Sequence, residues 1–169
     1  MGEIQYHIVS PNDNDTIRLI ADWYLSEWKI PIDKTVQKLN SITAENSQLQ
    51  VLMTVDRLPV STGGLYNHVG LIDKMPRFKV YRNWLALVYT TPVQRQKGYG
   101  ALICNYIQEH AKRIDIDKLY LFTDTAERLY KRLGWTELER LLMGARNIVV
   151  MERELQNEKL EKEHLLPID

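Results

Sequence analysis

Thr91-Pro92-Val93-Gln94-Arg95-Gln96-Lys97-Gly98-Tyr99-Gly100 lies between an apolar run at residues 84–89 and an amphipathic run at 101–114. The order reads as a strand, a tight glycine-containing turn and a helix whose first turn points free N–H groups into the turn. Those groups lack intrahelical partners, and the helix dipole places partial positive charge on them, so the turn suits an anion, phosphate above all. Gly98 and Gly100 let the backbone approach such a ligand without an intervening Cβ. Arg95 and Lys97 add charge of the right sign. On backbone chemistry alone, a plain strand-to-helix connection with a solvated basic pair fits the same residues equally well.

Two phosphate-binding signatures fail here. The P-loop requires its lysine directly after the second glycine, whereas Lys97 precedes Gly98. The dinucleotide fingerprint requires a third glycine where Ile103 stands.

The elements that must position this turn can be read in order. Residues 4–9 form a short strand with Ile4, Tyr6 and Ile8 alternating. Ser10-Pro11-Asn12-Asp13 reads as a helix start, with Ser10 as the cap and Pro11 in the first turn. Ile17, Ile20, Ala21, Tyr24, Leu25 and Trp28 make the apolar stripe of that helix, which Pro31 stops. Asp33 opens a second helix predicted to reach about Glu45, with Val36, Leu39 and Thr43 on one side. Leu49, Val51, Met53 and Val55 alternate as a strand, and the chain returns over 58–66 as the second strand of a hairpin, with a bulge expected at Gly63-Gly64.

Residues 67–82 show no period and read as a long loop carrying His68 and Asp73. The run at 84–89 reads as a strand covered on both faces. After the glycine turn, Ile103, Ile107, Ala111 and Ile114 set a helical stripe. A buried strand follows at 119–122, then a short helix with Ala126, Leu129, Tyr130 and Leu133 that Gly134 ends. Two last strands turn around 143–146. A single domain is expected over 1–152, and the charged stretch 153–169 reads as a solvated tail or helix that could support dimerisation.

Composition narrows the function. Apolar residues at 44% and charged residues at 26% fit an ordinary folded domain, and one core is what 169 residues ordinarily build. The 22 basic side chains are balanced by 22 acidic ones, which leaves no global electrostatic reason to expect nucleic acid or an anionic membrane as partner. Cys104 is the one cysteine; it falls on the amphipathic helix and reads as a buried inert thiol rather than a nucleophile. No apolar run reaches the roughly 18 residues of a membrane span, no signal pattern opens the chain, and Tyr6 spoils a myristoylation start, so a cytoplasmic protein is expected. No metal site is expected.

Arg95-x-x-Gly98-x-Gly100, after a strand and opening a helix, resembles the pyrophosphate-binding motif of the GCN5-related N-acetyltransferases (GNAT), which bind acetyl-coenzyme A. Tyr130-Lys131-Arg132-Leu133-Gly134-Trp135 is similar to that family's Tyr-x-x-Leu-Gly-Phe segment, with Trp in the Phe place. The element order agrees over roughly residues 3–152. The resemblance implies an α/β (mixed α+β) fold, with a central, mostly antiparallel mixed sheet of about six or seven strands flanked by about four helices. Its strands would splay at the cofactor. It also implies that N–H groups of Gln96, Lys97, Gly98, Tyr99 and Gly100 hold the coenzyme A pyrophosphate beside Arg95, and that backbone at Val88 and Thr90 pairs with the pantetheine arm. By the same resemblance Tyr130 is the general acid that protonates the departing thiolate, which its ordinary pKa of about 10 permits. Position and spacing alone also allow a core tyrosine on the stripe with Ala126 and Leu129.

Two departures stand out. Many family members carry a glutamate base on the strand before the glycine turn, but residues 84–89 contain no carboxylate. Glu27, Asp73 and His68 are the remaining candidates for the base. Thr123 stands where the family often has an Asn that binds the cofactor arm, and a hydroxyl can substitute. The function implied is an acetyl-coenzyme A-dependent N-acetyltransferase acting on a primary amine of a small molecule or peptide by direct attack in a ternary complex. The alternative is a non-catalytic acyl-coenzyme A-binding regulatory module of the same fold. A monomer or a homodimer would serve either.

Overall fold

A computed structural model of the chain describes residues 2–42 and 47–155. The elements run β1 (Ile4–Ile8), α1 (Asn14–Trp28), α2 (Ile32–Ile42), β2 (Leu49–Val55), β3 (Leu58–Tyr66), α3 (Gly70–Lys74), β4 (Trp84–Thr90), α4 (Tyr99–Arg113), β5 (Lys118–Thr123), α5 (Glu127–Arg132), β6 (Thr136–Met143) and β7 (Arg146–Glu154). Single 3-10 turns occupy Pro76–Val80 and Pro92–Gln94. The strands make a mixed seven-stranded sheet in the order β1-β2-β3-β4-β5-β7-β6. The β1–β2, β2–β3, β5–β7 and β6–β7 pairs are antiparallel, and β4–β5 is parallel through Trp84↔Tyr120. The expected mixed, mostly antiparallel sheet with its helices is therefore present. No described helix is long and apolar enough to cross a membrane.

The chain divides into two compact units. The first runs to Asn67 and adds Leu85–Ile107; the second holds His68–Trp84 and, among the described residues, 108–155.

In the first unit, α1 buries Ile17, Ile20, Ala21 and Tyr24 along the expected stripe. Its cap differs from expectation. Asp13, not Ser10, accepts the Thr16 N–H at 3.3 Å, while the Ser10 carbonyl accepts from the Asp13 N–H at 3.1 Å and closes a turn ahead of the helix. Lys29 ends α1 in the left-handed conformation (φ 57°) just before Pro31. Helix α2 buries Leu39 as expected, together with Thr35 and Ile42, and leaves Val36 half-buried, so its inner face is centred beside the expected one. The expected extension toward Glu45, with Thr43, lies outside the described residues.

Strand β2 is covered on both faces as far as Thr54, and so buries Gln50 as well as its apolar alternates. The bulge of the hairpin is not at Gly63-Gly64, which pair regularly with Val51 and Gln50; the register shifts instead between Met53 and Thr54, opposite Ser61 and Pro59. Proline has no N–H for the ladder, which is why the irregularity settles beside Pro59. The two glycines answer to space. A Cβ on Gly63 would stand 3.1 Å from Ile107 Cδ1, and one on Gly64 would overlap the Tyr66 ring. Gly64→Ala is therefore expected to cost about 1–3 kcal/mol through overpacking. At Gly70 an added Cβ meets nothing within 4 Å, and alanine there should stay within about 0.5 kcal/mol of the parent. Urea-denaturation midpoints of the two variants measure the difference.

In the second unit, the stretch read as a loop over 67–82 is folded into α3 and a 3-10 turn. Buried Leu71, Ile72 and Phe78 anchor these single turns, which are too short to show a period in sequence. Tyr81, Trp84 and Tyr120 form an aromatic cluster, with Tyr81 and Tyr120 4.5 Å apart between ring centroids. Gly134 takes the expected left-handed position after α5 at φ 92°, and the Arg153 guanidinium fills the space a Cβ would need while donating to the Leu133 carbonyl. Strand β7 runs through Glu154 and Leu155 is buried, so ordered structure passes the expected boundary at 152. The rest of the expected tail, from 156 on, lies outside the described residues.

Candidate functional site

The chain leaves β4 through Thr91, whose N–H bonds the Val60 carbonyl at 2.9 Å, and turns through Pro92–Gln94 into the glycine stretch. Gln96 (φ 65°) and Gly98 (φ 85°) are both left-handed, so the backbone reverses twice before α4 begins at Tyr99. Backbone turned in this way, at a helix start, gathers N–H groups into an anion-binding concavity. The space in front of it is open. An added Cβ at Gly98 meets nothing within 4 Å, and at Gly100 only Thr90 Oγ1 at 3.9 Å. Gly98 is required by its φ. Gly100 is required by nothing in the protein itself, as expected where a ligand needs the room. Tyr99 is buried, and Lys97 Nζ donates to Gln94 Oε1 at 2.9 Å.

Arg95 is held from two sides. Its Nε donates to the Thr90 carbonyl at 2.9 Å, and its Nη2 pairs with Glu27 Oε2 at 3.1 Å. The guanidinium carbon lies 5.5 Å from the Tyr89 ring centroid, within cation–π reach. Trp23 and Trp28 of α1 pack on the same ring. Burial raises the Tyr89 phenol pKa above its ordinary value, with Arg95 opposing the shift. Glu27, a candidate base from the sequence, is thus the ionic partner of Arg95.

Strand β4 is distorted at its centre. Leu87 is left-handed at φ 52° in the middle of a strand, a conformation that costs a residue with a bulky side chain about 1–3 kcal/mol. Side-chain alternation breaks there, leaving Leu87 and Val88 both half-buried. Three carbonyls of the strand accept from side chains: Leu87 from Tyr24 Oη at 2.7 Å, Tyr89 from Ser61 Oγ at 2.7 Å and Thr90 from Arg95 Nε. Behind Tyr24 lies a buried polar chain. Gln50 Nε2 donates to Tyr24 Oη at 2.9 Å and to Thr62 Oγ1 at 2.7 Å, Thr62 donates to the Val51 carbonyl, and Tyr66 Oη donates to Gln50 Oε1. Burial pushes both phenols well above their ordinary pKa, so both stay protonated and able to donate.

The second unit holds the other sequence-derived residues. Tyr130 is buried in α5 and meets the Trp135 ring edge-on at 6.1 Å. Its carbonyl accepts from the N–H groups of Leu133 and Trp135, so the Tyr-x-x-Leu-Gly-Trp segment closes on itself around left-handed Gly134. Thr123 Oγ1 accepts from the N–H groups of Thr125 (3.3 Å) and Ala126 (3.0 Å); its lone pairs thus order the approach to α5, and its proton is what it can offer a ligand. His68 Nε2 and Asp73 Oδ1 are 2.8 Å apart, and both side chains are exposed. Glu127, bonded to Lys131 and Arg140, and Asp124, bonded to Arg146, are held below their ordinary carboxylate pKa by those bonds.

Within the first unit, folding brings Val88, Thr90, Arg95, the glycine turn and Glu27 to one end of β4. It also places there what the sequence reading missed, namely Leu87 and its partner Tyr24. Tyr24 reads in sequence as one apolar stripe position among six. The available signal was Gln50, an amide between apolar neighbours in a strand covered on both faces, since a buried amide needs polar partners. Trp84, Tyr66 and Tyr89 are buried parts of the core.

The family model described as "Acetyltransferase (GNAT) family" matches residues 17–135. No protein of curated function matches the chain in sequence. Among solved structures, a GNAT-family acetyltransferase from Streptococcus pneumoniae superposes with a TM-score of 0.68 at 15% identity, over 90% of this chain and 99% of that one. A Salmonella typhimurium putative acetyltransferase, solved with its cofactor acetyl-CoA, gives 0.68 at 12% identity over 91% and 95%. A spermidine/spermine N-acetyltransferase from Vibrio cholerae gives 0.67 at 12% over 94% and 96%. At these identities the likeness is one of fold.

Proposed function

Because the chain belongs to the GNAT acetyltransferase family and its cofactor is acetyl-coenzyme A, we propose that it is an N-acetyltransferase moving the acetyl group to a primary amine of a small molecule or peptide. The amine attacks directly in a ternary complex. The observation that carries this reading is the doubly left-handed turn at Gln96 and Gly98, with open space at Gly98 and Gly100 ahead of α4. Bound acetyl-coenzyme A supplies a thioester already reactive toward a neutral amine. Everything else falls to the chain's own groups. N–H groups from Gln96 to Gly100 take the pyrophosphate, with Arg95 and Lys97 beside them, and backbone at Val88 and Thr90 holds the pantetheine amides. By the family resemblance the Thr123 hydroxyl would donate to the cofactor arm. By the same resemblance Tyr130 Oη would give its proton to the leaving sulfur, and Glu27, Asp73 or His68 would take the proton from the amine nitrogen.

With no cysteine acyl-enzyme required, Cys104 remains a fully buried thiol. Rate enhancement comes from holding the amine and the thioester in register and from backbone amides aimed at the carbonyl oxygen. Acceptors of the kinds named for structural relatives, an aminoglycoside and spermidine, form the natural first panel of amines.

Calorimetric titration of coenzyme A, followed by thiol release from acetyl-coenzyme A against that panel and against peptide α-amines, tests the proposal. Saturable binding and release dependent on at least one amine are expected. Binding with no release from any amine would overturn the enzyme reading in favour of a non-catalytic acyl-coenzyme A-binding module. In the same assay Glu27→Gln, Asp73→Asn and His68→Asn identify the base: its loss lowers turnover at neutral pH and is relieved as pH rises toward the pKa of the amine.

A further inference from the structure

We propose that Tyr24 is a positioning residue for acetyl transfer, its hydroxyl holding Leu87 in the left-handed conformation that sets the β4 backbone for the thioester. This rests on the acetyltransferase reading above.

A left-handed leucine inside a strand reverts to extended geometry unless its surroundings hold it. The one side-chain hydroxyl bonded to its carbonyl, Tyr24 Oη at 2.7 Å, comes from α1, 63 positions away in sequence. Tyr24 is 1% exposed, so water does not compete for that bond. The hydroxyl is aimed from behind. The Gln50 amide donates to Tyr24 Oη, and that amide is fixed in turn by Thr62 Oγ1 and by Tyr66 Oη.

The donors and acceptors of the chain run in one direction. Gln50 Nε2 donates both its protons, to Tyr24 and to Thr62, and Thr62 spends its own proton on the Val51 carbonyl. Tyr24 thus receives from Gln50 and donates its one proton to Leu87 O at 2.7 Å. Tyr66 reaches Gln50 because Gly64 leaves room for its ring. The whole relay converges on the peptide that follows Leu87, whose N–H belongs to Val88. Turning that peptide turns the Val88 backbone proposed to hold the pantetheine arm, and with it the placement of the thioester. A phenol with no access to solvent or to a ligand thereby acts on the reaction through the backbone.

The test uses Tyr24→Phe, which removes one oxygen atom, and Ser61→Ala, which removes another buried hydroxyl from the same strand at the Tyr89 carbonyl, 2.7 Å away. Tyr24→Phe is expected to speed hydrogen exchange at the Leu87 and Val88 amides at least 10-fold and to lower kcat at least 10-fold. Its Kd for coenzyme A should change less than kcat does, because the pyrophosphate turn is untouched and only the Val88 contact to the arm is disturbed. Ser61→Ala should leave kcat and exchange at 87 and 88 within 3-fold, whatever it does to stability. Unchanged exchange in Tyr24→Phe, or equal kcat losses in the two variants, would overturn the proposal. If Tyr24→Phe fails to fold, Tyr66→Phe takes its place, since it frees the Gln50 amide from the far end. A fall in kcat larger than any change in Kd supports the relay, and no fall overturns it. If the parent releases no thiol with any amine, the enzyme reading fails, while amide exchange still decides whether Tyr24 holds Leu87.

Discussion

Gly100→Glu abolishes coenzyme A binding while leaving the fold intact. The protein itself has room for the new side chain, since its Cβ would stand 3.9 Å from the nearest atom, Thr90 Oγ1. The loss therefore reports the ligand, whose pyrophosphate meets a carboxylate at the mouth of the turn. Like charges in a partly desolvated site repel strongly, and steric filling adds to this, so affinity should fall at least about 100-fold, roughly 2.7 kcal/mol. Isothermal titration gives the affinity and a thermal melt confirms the fold. Gly100→Ala, which adds a methyl group without charge, should weaken binding less than the glutamate variant and so separates steric filling from repulsion. Unchanged affinity in the glutamate variant would remove the turn from the site.

Tyr130→Phe separates chemistry from binding. The ring is 8% exposed and packs edge-on against Trp135, and phenylalanine preserves that packing, so the variant should fold with near-parent stability. If Tyr130 Oη delivers the proton to the leaving sulfur, kcat should fall about 100-fold, within the range for loss of a general acid. The Kd for coenzyme A should change less than about 3-fold, because the pyrophosphate turn is unaltered. Steady-state thiol release and calorimetry together give both quantities. Equal turnover in the two proteins would refute the acid role and return Tyr130 to the core position its stripe also allows.

Legibility in the sequence tracked the range of the interactions. The glycine turn was readable because its parts are adjacent: Pro92, Arg95, Gly98 and Gly100 follow a strand and open a helix within one short stretch. The Tyr130–Trp135 segment was readable for the same reason, its bonds running between residues a few positions apart around Gly134. Short-range reading failed where two local solutions compete. Ser10 and Asp13 are both good caps, and packing of Ile17 and Ile20 selected the later start. Over 67–82, helical turns of five residues leave no period to find, and only the burial of Leu71, Ile72 and Phe78 reveals them. At Gly63-Gly64 the glycines accommodate Ile107 and the Tyr66 ring, and the bulge lies with Pro59.

By itself the sequence determined the order of the strands and longer helices, the glycine turn and the family, because hydrophobic period, turn chemistry and helix starts act over a few residues. Tertiary structure decided what Glu27 and Tyr24 do. Glu27 meets Arg95 across 68 positions, and Tyr24 meets Leu87 across 63. No local pattern encodes such pairs; they exist only once α1 is packed beside β4, where a buried hydroxyl or a half-covered carboxylate must find a partner. The left-handed Leu87 belongs with them, since nothing in its neighbouring residues asks for that conformation and only the surrounding packed structure sustains it.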